Sequence, residues 1–456
     1  MFLIIASCLY FLSRFYRLLS LPIFIDEALY LRMTQDLIHK GQIWISFSDG
    51  KEPLFFWVQS LFLRIFADPL LGGRFFAVLS GWVLMVVGYK LIREIFDHKI
   101  ARIFTIFYLV SPFVLFYNRL ALIDTFLTLL LSSYILFLVR LARKPNLKLA
   151  IAVSLFLYLS LLTKTIAWLY ILVIPIAFLA FSKRSILLHW PVVVLAVAFI
   201  FYLPLTLIPG YWLIWLKNQN VFTYSFTQAI FGWRTILLPN LKMSSRDWWL
   251  IYFGFIPFMG VLAAGVYGLF KRKKSIIFLF FLMIFPWLAE SAIAKIFFPR
   301  YLLFISIPIF AICSYLITRR FLLILLLIFL WQPAILTIQL LTGPEQAKLP
   351  IVERWQYFES WPSGYGTNQL VDYLKSNPRP IVVTESYGLN EILKLAFYDN
   401  KDVTIKTFEN LNEKLTGDYL VLGYYQKPPP NWSVSEIASF CKVECKEKIR
   451  LYEIKQ

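Results

Sequence analysis

Runs of about 20 apolar residues, long enough to cross a hydrocarbon core as a helix, recur through the first 343 positions. They fall at roughly 1–20, 75–92, 101–117, 122–139, 149–163, 165–181, 186–208, 248–270, 275–293, 301–318 and 321–341. The pattern predicts an α-helical multi-pass membrane domain over 1–343 with about eleven transmembrane helices. Two intervening stretches are long, at 21–74 and 209–247. Beyond Gly343 the pattern changes. β-like runs at Pro380–Thr384, Val403–Lys406, Tyr419–Gly423 and Ile449–Ile454 are interleaved with helix-like stretches at Asn368–Ser376 and Ser433–Phe440. Residues 344–456 therefore read as a small soluble α/β domain. No internal repeat is visible.

Composition sharpens this picture. The chain is 59% apolar and only 16% charged, where soluble domains run near a quarter charged. That excludes an ordinary cytosolic enzyme, a disordered protein and a small disulfide scaffold. The net charge of +19 would suggest nucleic acid if it were spread evenly, but residues 344–456 carry 14 Lys/Arg against 15 Asp/Glu. The excess sits in five short loops: Lys90, Arg93, Lys99 and Arg102; Arg140, Arg143, Lys144 and Lys148; Lys183 and Arg184; Lys271 to Lys274; Arg319 and Arg320. The positive-inside rule places these loops in the cytoplasm, so the charge is a topology signal and no nucleic-acid partner is implied. The N-terminus is then cytoplasmic, and the long loops and the C-terminal domain are extracytoplasmic. The first span reads as a retained helix rather than a signal peptide, because no small-residue cleavage site follows it and Arg14 and Arg17 stand at its far end.

Charges that a membrane should not tolerate supply the candidate chemistry. Asp26 and Glu27 follow the first span at once. They suit a solvated helix N-terminus, or a general base with a neighbouring carboxylate where a lipid-borne substrate meets an aqueous acceptor. Asp124 sits where a span has already begun, and Arg119 lies five residues before it, off the ideal helical spacing for an ion pair. Lys164 is a lone charge between two apolar helices. It is either a snorkelling anchor or a counter-charge for an anion. Arg300 is again an outer-edge cation, and Lys51 opens an apolar stretch suited to the membrane surface. By the alternation of loops all of these face one side, as an anionic lipid phosphate held by cations beside proton-abstracting carboxylates would require.

In chain order, Asp26-Glu27-Ala28, Lys51-Glu52-Pro53-Leu54, Arg74-Phe75, Ser111-Pro112, Arg119 to Asp124, Leu162-Thr163-Lys164 and Arg300-Tyr301 resemble the dolichyl-phosphate-mannose-protein mannosyltransferases and their bacterial aminoarabinose-transferase relatives. These are glycosyltransferases of the GT-C fold. Phe55 and Phe56 stand where the family commonly has Tyr. The resemblance implies a sugar moved from a polyprenyl-phosphate donor to a hydroxyl of a protein, lipid or wall-polymer acceptor, on the outer face of the plasma membrane. It makes Asp26 the expected base, with Glu27 and Asp124 as supporting carboxylates. Lys51 and Arg300, with Tyr301 beside it, fall where the donor phosphate is met, and Arg74, Arg119 and Lys164 are further donor-side positions. No cofactor is required, since a lipid phosphate is already a good leaving group. A divalent metal at the carboxylates stays open, although His39, His98 and His189 are scattered and form no ligand cluster. Pro362-Ser363-Gly364-Tyr365-Gly366 resembles a segment of some bacterial members and reads otherwise as a Gly-rich turn.

Three smaller signals remain. Cys441 and Cys445 lie in the extracytoplasmic tail, where a disulfide and two unpaired thiols are both allowed. Tyr211, Trp212, Trp215 and Lys217 read as an interfacial anchor or as part of a lipid-donor groove. Asn431-Trp432-Ser433 fits a glycosylation sequon. The rival reading of the whole chain is a transporter or flippase of lipid-linked sugars, which would place charges at the bilayer midplane, often with inverted repeats. A scaffold would leave Asp26, Asp124 and Arg300 unexplained.

Overall fold

The computed structural model describes residues 1–182, 189–317, 322–385, 388–400, 402–408, 418–423, 427–428, 432–445 and 447–455. Lys183, Arg184, Arg319 and Arg320 of the basic loops and Asn431 of the sequon lie outside them. The chain opens with α1 (Phe2–Phe15), α2 (Ile25–Lys40), α3 (Leu54–Leu63), α4 (Pro69–Ile95), α5 (His98–Val110), α6 (Pro112–Tyr117), α7 (Ile123–Arg143) and α8 (Leu147–Leu161). A 3-10 turn (Thr165–Leu172) leads into α9 (Val173–Phe181), followed by α10 (His189–Thr206). The second long loop is itself helical, with α11 (Tyr211–Lys217), α12 (Phe226–Phe231) and α13 (Leu238–Met243). Then come α14 (Leu250–Phe253), α15 (Phe255–Phe270), α16 (Lys274–Ile293), a 3-10 turn (Pro299–Ile305), α17 (Ser306–Leu316) and α18 (Leu322–Thr342).

Each of the eleven apolar runs holds helix, but not as eleven equal spans. Among the described residues six helices are long and apolar enough to cross a membrane, or seven if Trp233–Phe253 and Phe255–Phe270 count as one span bent by 114°. The count of eleven is therefore not established. The breaks have local causes. Asp68 caps α4 ahead of Pro69, and Asp97 accepts from Lys99 N and Ile100 N at the start of α5. The run at 101–117 is cut at Pro112, which lacks the N–H to continue a helix, while Ser111 caps α6. The bend between α14 and α15 falls at Gly254, whose φ of +86° is a conformation that disfavours any side chain.

The basic loops gather at one end of the bundle. Glu94, at the end of α4, pairs with Arg140 and Arg143 at the end of α7, each at 3.3 Å. Arg143 stacks over Phe181 of α9, Lys273 donates to Tyr315 of α17, and Tyr315 stacks on Phe96. Asp124 opens α7 at its other end. A helix of this length spans about 30 Å, the thickness of a bilayer core.

The C-terminal domain contains α19 (Ile351–Arg354), α20 (Thr367–Ser376), β1 (Ile381–Glu385), α21 (Leu389–Ala396), β2 (Thr404–Phe408), β3 (Tyr419–Leu422), β4 (Val434–Cys441) and β5 (Lys448–Ile454). The sheet order is β2-β1-β3-β5-β4, parallel across β2-β1-β3 and antiparallel beyond. Val382, Tyr419, Val421 and Leu451 face α20 and α21, while Val383, Leu420, Leu422 and Tyr452 face the other side. Two buried faces explain why β3 is apolar without alternation. The four predicted β-like runs are strands, and Asn368–Ser376 lies in α20.

Two expectations change. Ser433–Phe440 is not helical; it forms edge strand β4. Its apolar residues Val434, Ile437 and Phe440 recur every third position because a register shift between Glu436 and Ala438 inserts an extra residue, which imitates a helical period. Nor does packing divide the chain at Gly343. Ala347, Leu349, Tyr357 and Phe358 belong to the core of the membrane half, whereas the separate core under the sheet begins at Leu370. The sheet domain also rests on α2, where Ile392 and Leu395 meet Ile23, Ala28 and Leu31. Arg32 pairs with Glu391, and Tyr398 OH donates to Asp36 at 2.9 Å.

Candidate functional site

The first turn of α2 projects two carboxylates in opposite directions, and their surroundings give them different tasks. Asp26 is the half-open one, its side chain 28% exposed, with Oδ2 accepting from Arg300 Nη2 at 2.7 Å. Arg300 stands at the head of the 3-10 turn before α17, buried among the rings of Phe24, Phe298 and Tyr301. Its Nη1 donates to the Tyr357 hydroxyl at 3.2 Å. The fork of one guanidinium thus joins the first long loop to the segment after α18.

A second ion pair lies beside the first. Asp124 Oδ1 accepts from Lys164 Nζ at 2.7 Å, and that ammonium sits 4.2 Å from the centre of the Tyr301 ring. Tyr301 thus has both Lys164 and Arg300 within cation–π distance of its ring, the latter at 5.6 Å. Glu290, buried on α16, lies close enough to Lys164 and Asp124 to feel both charges. Lys51 pairs with Asp49 and sits 5.3 Å from the Tyr30 ring. Tyr30, one turn along α2 from Asp26, is itself in the field of Asp26, Arg300 and Asp124. The loop bearing Lys51 is pinned by α11, through Lys217 to Asp49 at 2.7 Å and Asn218 Nδ2 to Gly50 O at 3.2 Å. Below it Glu52 is buried with Oε1 accepting from Tyr202 OH at 3.2 Å, and desolvation pushes its carboxyl up to about 8.

Asp26, Asp124, Lys164, Arg300 and Tyr301 thus converge from four separate stretches of sequence, with Lys51 beside them across the Tyr30 ring. Glu27, Arg74 and Arg119 do not join them. Glu27 is wholly buried and accepts four hydrogen bonds: from Arg74 Nε at 2.9 Å, Arg74 Nη2 at 2.8 Å, Phe24 N at 3.0 Å and Ala121 N at 2.7 Å. Arg74, equally buried, also donates to the carbonyls of Leu18, Leu21 and Pro22. With every oxygen engaged, this pair cannot take substrate; it fastens the turn before α2 to the turn before α7, behind the site. Arg119 does not meet Asp124. It lies in a turn ahead of α7 and donates to Tyr16 O and Arg17 O, each at 2.8 Å, at the end of α1. In the second long loop Tyr211 and Trp215 turn inward, with Tyr211 OH bonded to Tyr202 at 2.8 Å, while Trp212 stays exposed.

Three site residues carry no expectation from sequence. Glu290 satisfies the criterion that selected Asp124, an acid inside an apolar helix, and could have been found by it. Tyr357 and Glu353 had no such signal, because they lie beyond the last span. Glu353 accepts from Tyr117 OH, and its burial pushes the carboxyl up to about 7. The segment 351–366 reaches the site because Ile25 N donates to Pro362 O at 3.2 Å and because Gly364 lies flat on the backbone of Ile23. A Cβ at 364 would stand 2.0 Å from Ile23 O. Gly364→Ala is therefore expected to cost about 1–3 kcal/mol of stability and to lower any activity that depends on Arg300, measured by thermal unfolding in detergent and by turnover.

Among the described residues no three His, Cys, Asp or Glu side chains are placed to share a metal ion. Of the carboxylates at the site, Asp26 and Asp124 each face a cation, Glu290 lies in the field of Lys164 and Glu353 accepts from Tyr117, so the donor set does not fit a metal. Cys441 and Cys445 are joined as a disulfide.

Comparison with known proteins bears on the fold. The dolichyl-phosphate-mannose-protein mannosyltransferase family matches residues 50–208, a stretch that holds Lys51, Asp124 and Lys164 but not Asp26 or Arg300. No curated protein matches the sequence. Among solved structures, the chain is similar to ArnT from Cupriavidus metallidurans in the apo state. The TM-score is 0.62 and the identity 13%, with 99% of this chain and 97% of that one covered. ArnT bound to undecaprenyl phosphate gives a TM-score of 0.61 at 15% identity, with the same coverage. The oligosaccharyltransferase from Archaeoglobus fulgidus, in complex with Zn and sulfate, gives 0.60 at 14% identity, covering 93% of this chain and 68% of that one. At such identities the likeness establishes the architecture alone. The fold is that of the GT-C glycosyltransferases, with a small C-terminal sheet domain, and the chain is a multi-pass membrane protein.

Proposed function

We propose that the protein is a membrane glycosyltransferase that moves a sugar from a polyprenyl-phosphate donor to an acceptor hydroxyl, with Asp26 as general base. The observation that carries this reading is the meeting of Asp26–Arg300 and Asp124–Lys164 at the ring of Tyr301, at the end of the bundle opposite the basic loops. By the positive-inside rule that end is extracytoplasmic, in the plasma membrane, with the N-terminus inside. The structures of ArnT bound to undecaprenyl phosphate, and of the Archaeoglobus fulgidus oligosaccharyltransferase in complex with an inhibitory peptide and a dolichol-phosphate, support a lipid-phosphate donor.

The residues divide the work of a single displacement. Asp26 keeps one carboxylate oxygen clear of Arg300 and takes the acceptor proton there. The acceptor oxygen forms its bond to the anomeric carbon as the bond from that carbon to the lipid phosphate oxygen breaks. The phosphate leaves with the electron pair, and its charge is met by Arg300, Lys164 and Lys51. Asp124 holds Lys164 in place, and the Tyr301 ring lies within reach of both cations. A transporter would need its charges at midplane, whereas these lie at one rim.

The test uses purified protein in lipid nanodiscs with polyprenyl-phosphate-linked sugars and hydroxyl acceptors. Release of free polyprenyl phosphate that depends on acceptor is expected. Movement of intact donor across a sealed vesicle without cleavage would overturn the reading in favour of the flippase. Mass spectrometry of glycoconjugates lost on deleting the gene identifies the sugar and whether the acceptor is protein, lipid or wall polymer.

A further inference from the structure

The Cys441–Cys445 disulfide closes a short loop at the end of β4, and the residue inside that loop is aimed at the membrane half. Lys442 is only 5% exposed, and its Nζ donates to Ser363 O at 2.5 Å. Its backbone is fixed by Lys442 N donating to Glu447 O and Cys445 N donating to Lys442 O, each at 2.9 Å. An ammonium buried this deeply is costly unless it is engaged, so its partner is informative. Ser363 belongs to the Pro362–Gly366 segment that lies on Ile23 and Ile25, and its Oγ donates to Tyr357 O at 3.0 Å. Tyr357 packs on Phe24 and Phe116 with ring centres 4.4 and 4.9 Å away and accepts from Arg300 Nη1.

We propose that Lys442 is a positioning residue: presented by the disulfide loop, it clamps Ser363 and thereby holds Tyr357 as the second partner of Arg300. The proposal rests on the glycosyltransferase reading above. Its chemical consequence lies in the guanidinium fork. With Nη1 engaged by Tyr357, Arg300 offers only Nη2 to Asp26. Without that restraint the fork is free to take both carboxylate oxygens, the strong bidentate arrangement, and no Asp26 oxygen is left clear for the acceptor proton. Among the described residues, Tyr30 from α2, Asp124 from α7, Lys164 after α8, Glu290 from α16, Tyr301 beside Arg300 and Glu353 from α19 also face this cluster. The C-terminal domain on this view completes the site from outside the membrane.

The test compares Lys442→Ala, Lys442→Arg, the double variant Cys441→Ser/Cys445→Ser and Tyr357→Phe in the full-length protein. Lys442→Ala is expected to lower kcat about tenfold and to raise KM for the lipid donor severalfold, because a bidentate Asp26 both loses its open oxygen and competes with the donor phosphate for Arg300. Lys442→Arg restores turnover, the serine pair behaves as Lys442→Ala does, and the loss disappears on a Tyr357→Phe background, as expected of residues acting through one another. Amide exchange at Ile25, whose N–H bonds Pro362, rises in Lys442→Ala. Full turnover in Lys442→Ala, a loss that multiplies with that of Tyr357→Phe, or unchanged exchange at Ile25 would each overturn the clamp. The exchange measurement judges the clamp even if no sugar transfer is found, so failure of the functional reading is seen separately.

Discussion

Asp26→Asn is expected to lower sugar transfer by about a thousandfold, within the 10²–10⁴ range for loss of a general base, while the protein remains folded and inserted. The substitution keeps the shape of the side chain and its place in the first turn of α2, so Phe24, Glu27 and the turn before α7 are undisturbed. What it removes is the only carboxylate of the cluster that is both partly open and attached to Arg300 through a single oxygen. The pair as it stands occupies the Arg300 Nη2 that the donor phosphate would take. Donor phosphate competes for the Arg300 fork, and as it takes Nη2 the Asp26 oxygens are released to accept a proton. This gives a second expectation for the same variant. With the competing charge gone, Arg300 is free for the phosphate, and the donor should bind Asp26→Asn at least as tightly as it binds the unaltered protein. Equilibrium binding of a polyprenyl phosphate and single-turnover transfer measure the two separately. Full transfer removes Asp26 from the role of base; lost transfer together with lost donor binding makes it a binding residue instead.

What the sequence makes legible and what it conceals divide along a physical line. A helix buried in a bilayer must be apolar over its whole length, so spans are visible wherever they are long, and an ionisable group within or beside one stands out. Asp26, Asp124, Lys51, Lys164 and Arg300 stand out in that way; Asp26, Asp124, Lys164 and Arg300 lie together around Tyr301, and Lys51 lies beside Tyr30. The same visibility misleads for Glu27 and Arg74. A buried ion pair that braces the backbone and a reacting pair carry the same residue types; only their partners tell them apart. Arg119 shows a related limit, since its neighbour in sequence, Asp124, lies on a helix that begins after it, while its partners are the carbonyls of α1. Tyr357, Glu353 and Lys442 were hidden because the chain after the last span folds back over the site. No periodicity in a tail with nearly balanced charge records that return. In the sheet domain the alternation of apolar runs located four strands, and the bulge in β4 disguised the fifth.

Removing either member of the Glu27–Arg74 pair is expected to cost about 3–5 kcal/mol, as when one partner of a buried pair is lost. Measured against typical folding free energies of about 5–15 kcal/mol, Glu27→Ala or Arg74→Ala should sharply reduce the yield of inserted protein and its unfolding temperature in detergent. Buried pairs can often be exchanged for apolar residues at little cost, which makes the double variant Glu27→Leu/Arg74→Met the sharper test. Here the exchange should fail. Arg74 satisfies the carbonyls of Leu18, Leu21 and Pro22, and Glu27 satisfies the N–H groups of Phe24 and Ala121. All of these would be left buried without partners, each at about 1–3 kcal/mol. The pair thus acts as a backbone clasp rather than as two charges, and it sits where a shift of the α2 turn would carry Asp26 away from Arg300. A Glu27→Ala protein that folds and unfolds as the unaltered one does, yet transfers no sugar, would return Glu27 to the reacting groups and replace the clasp with a catalytic role.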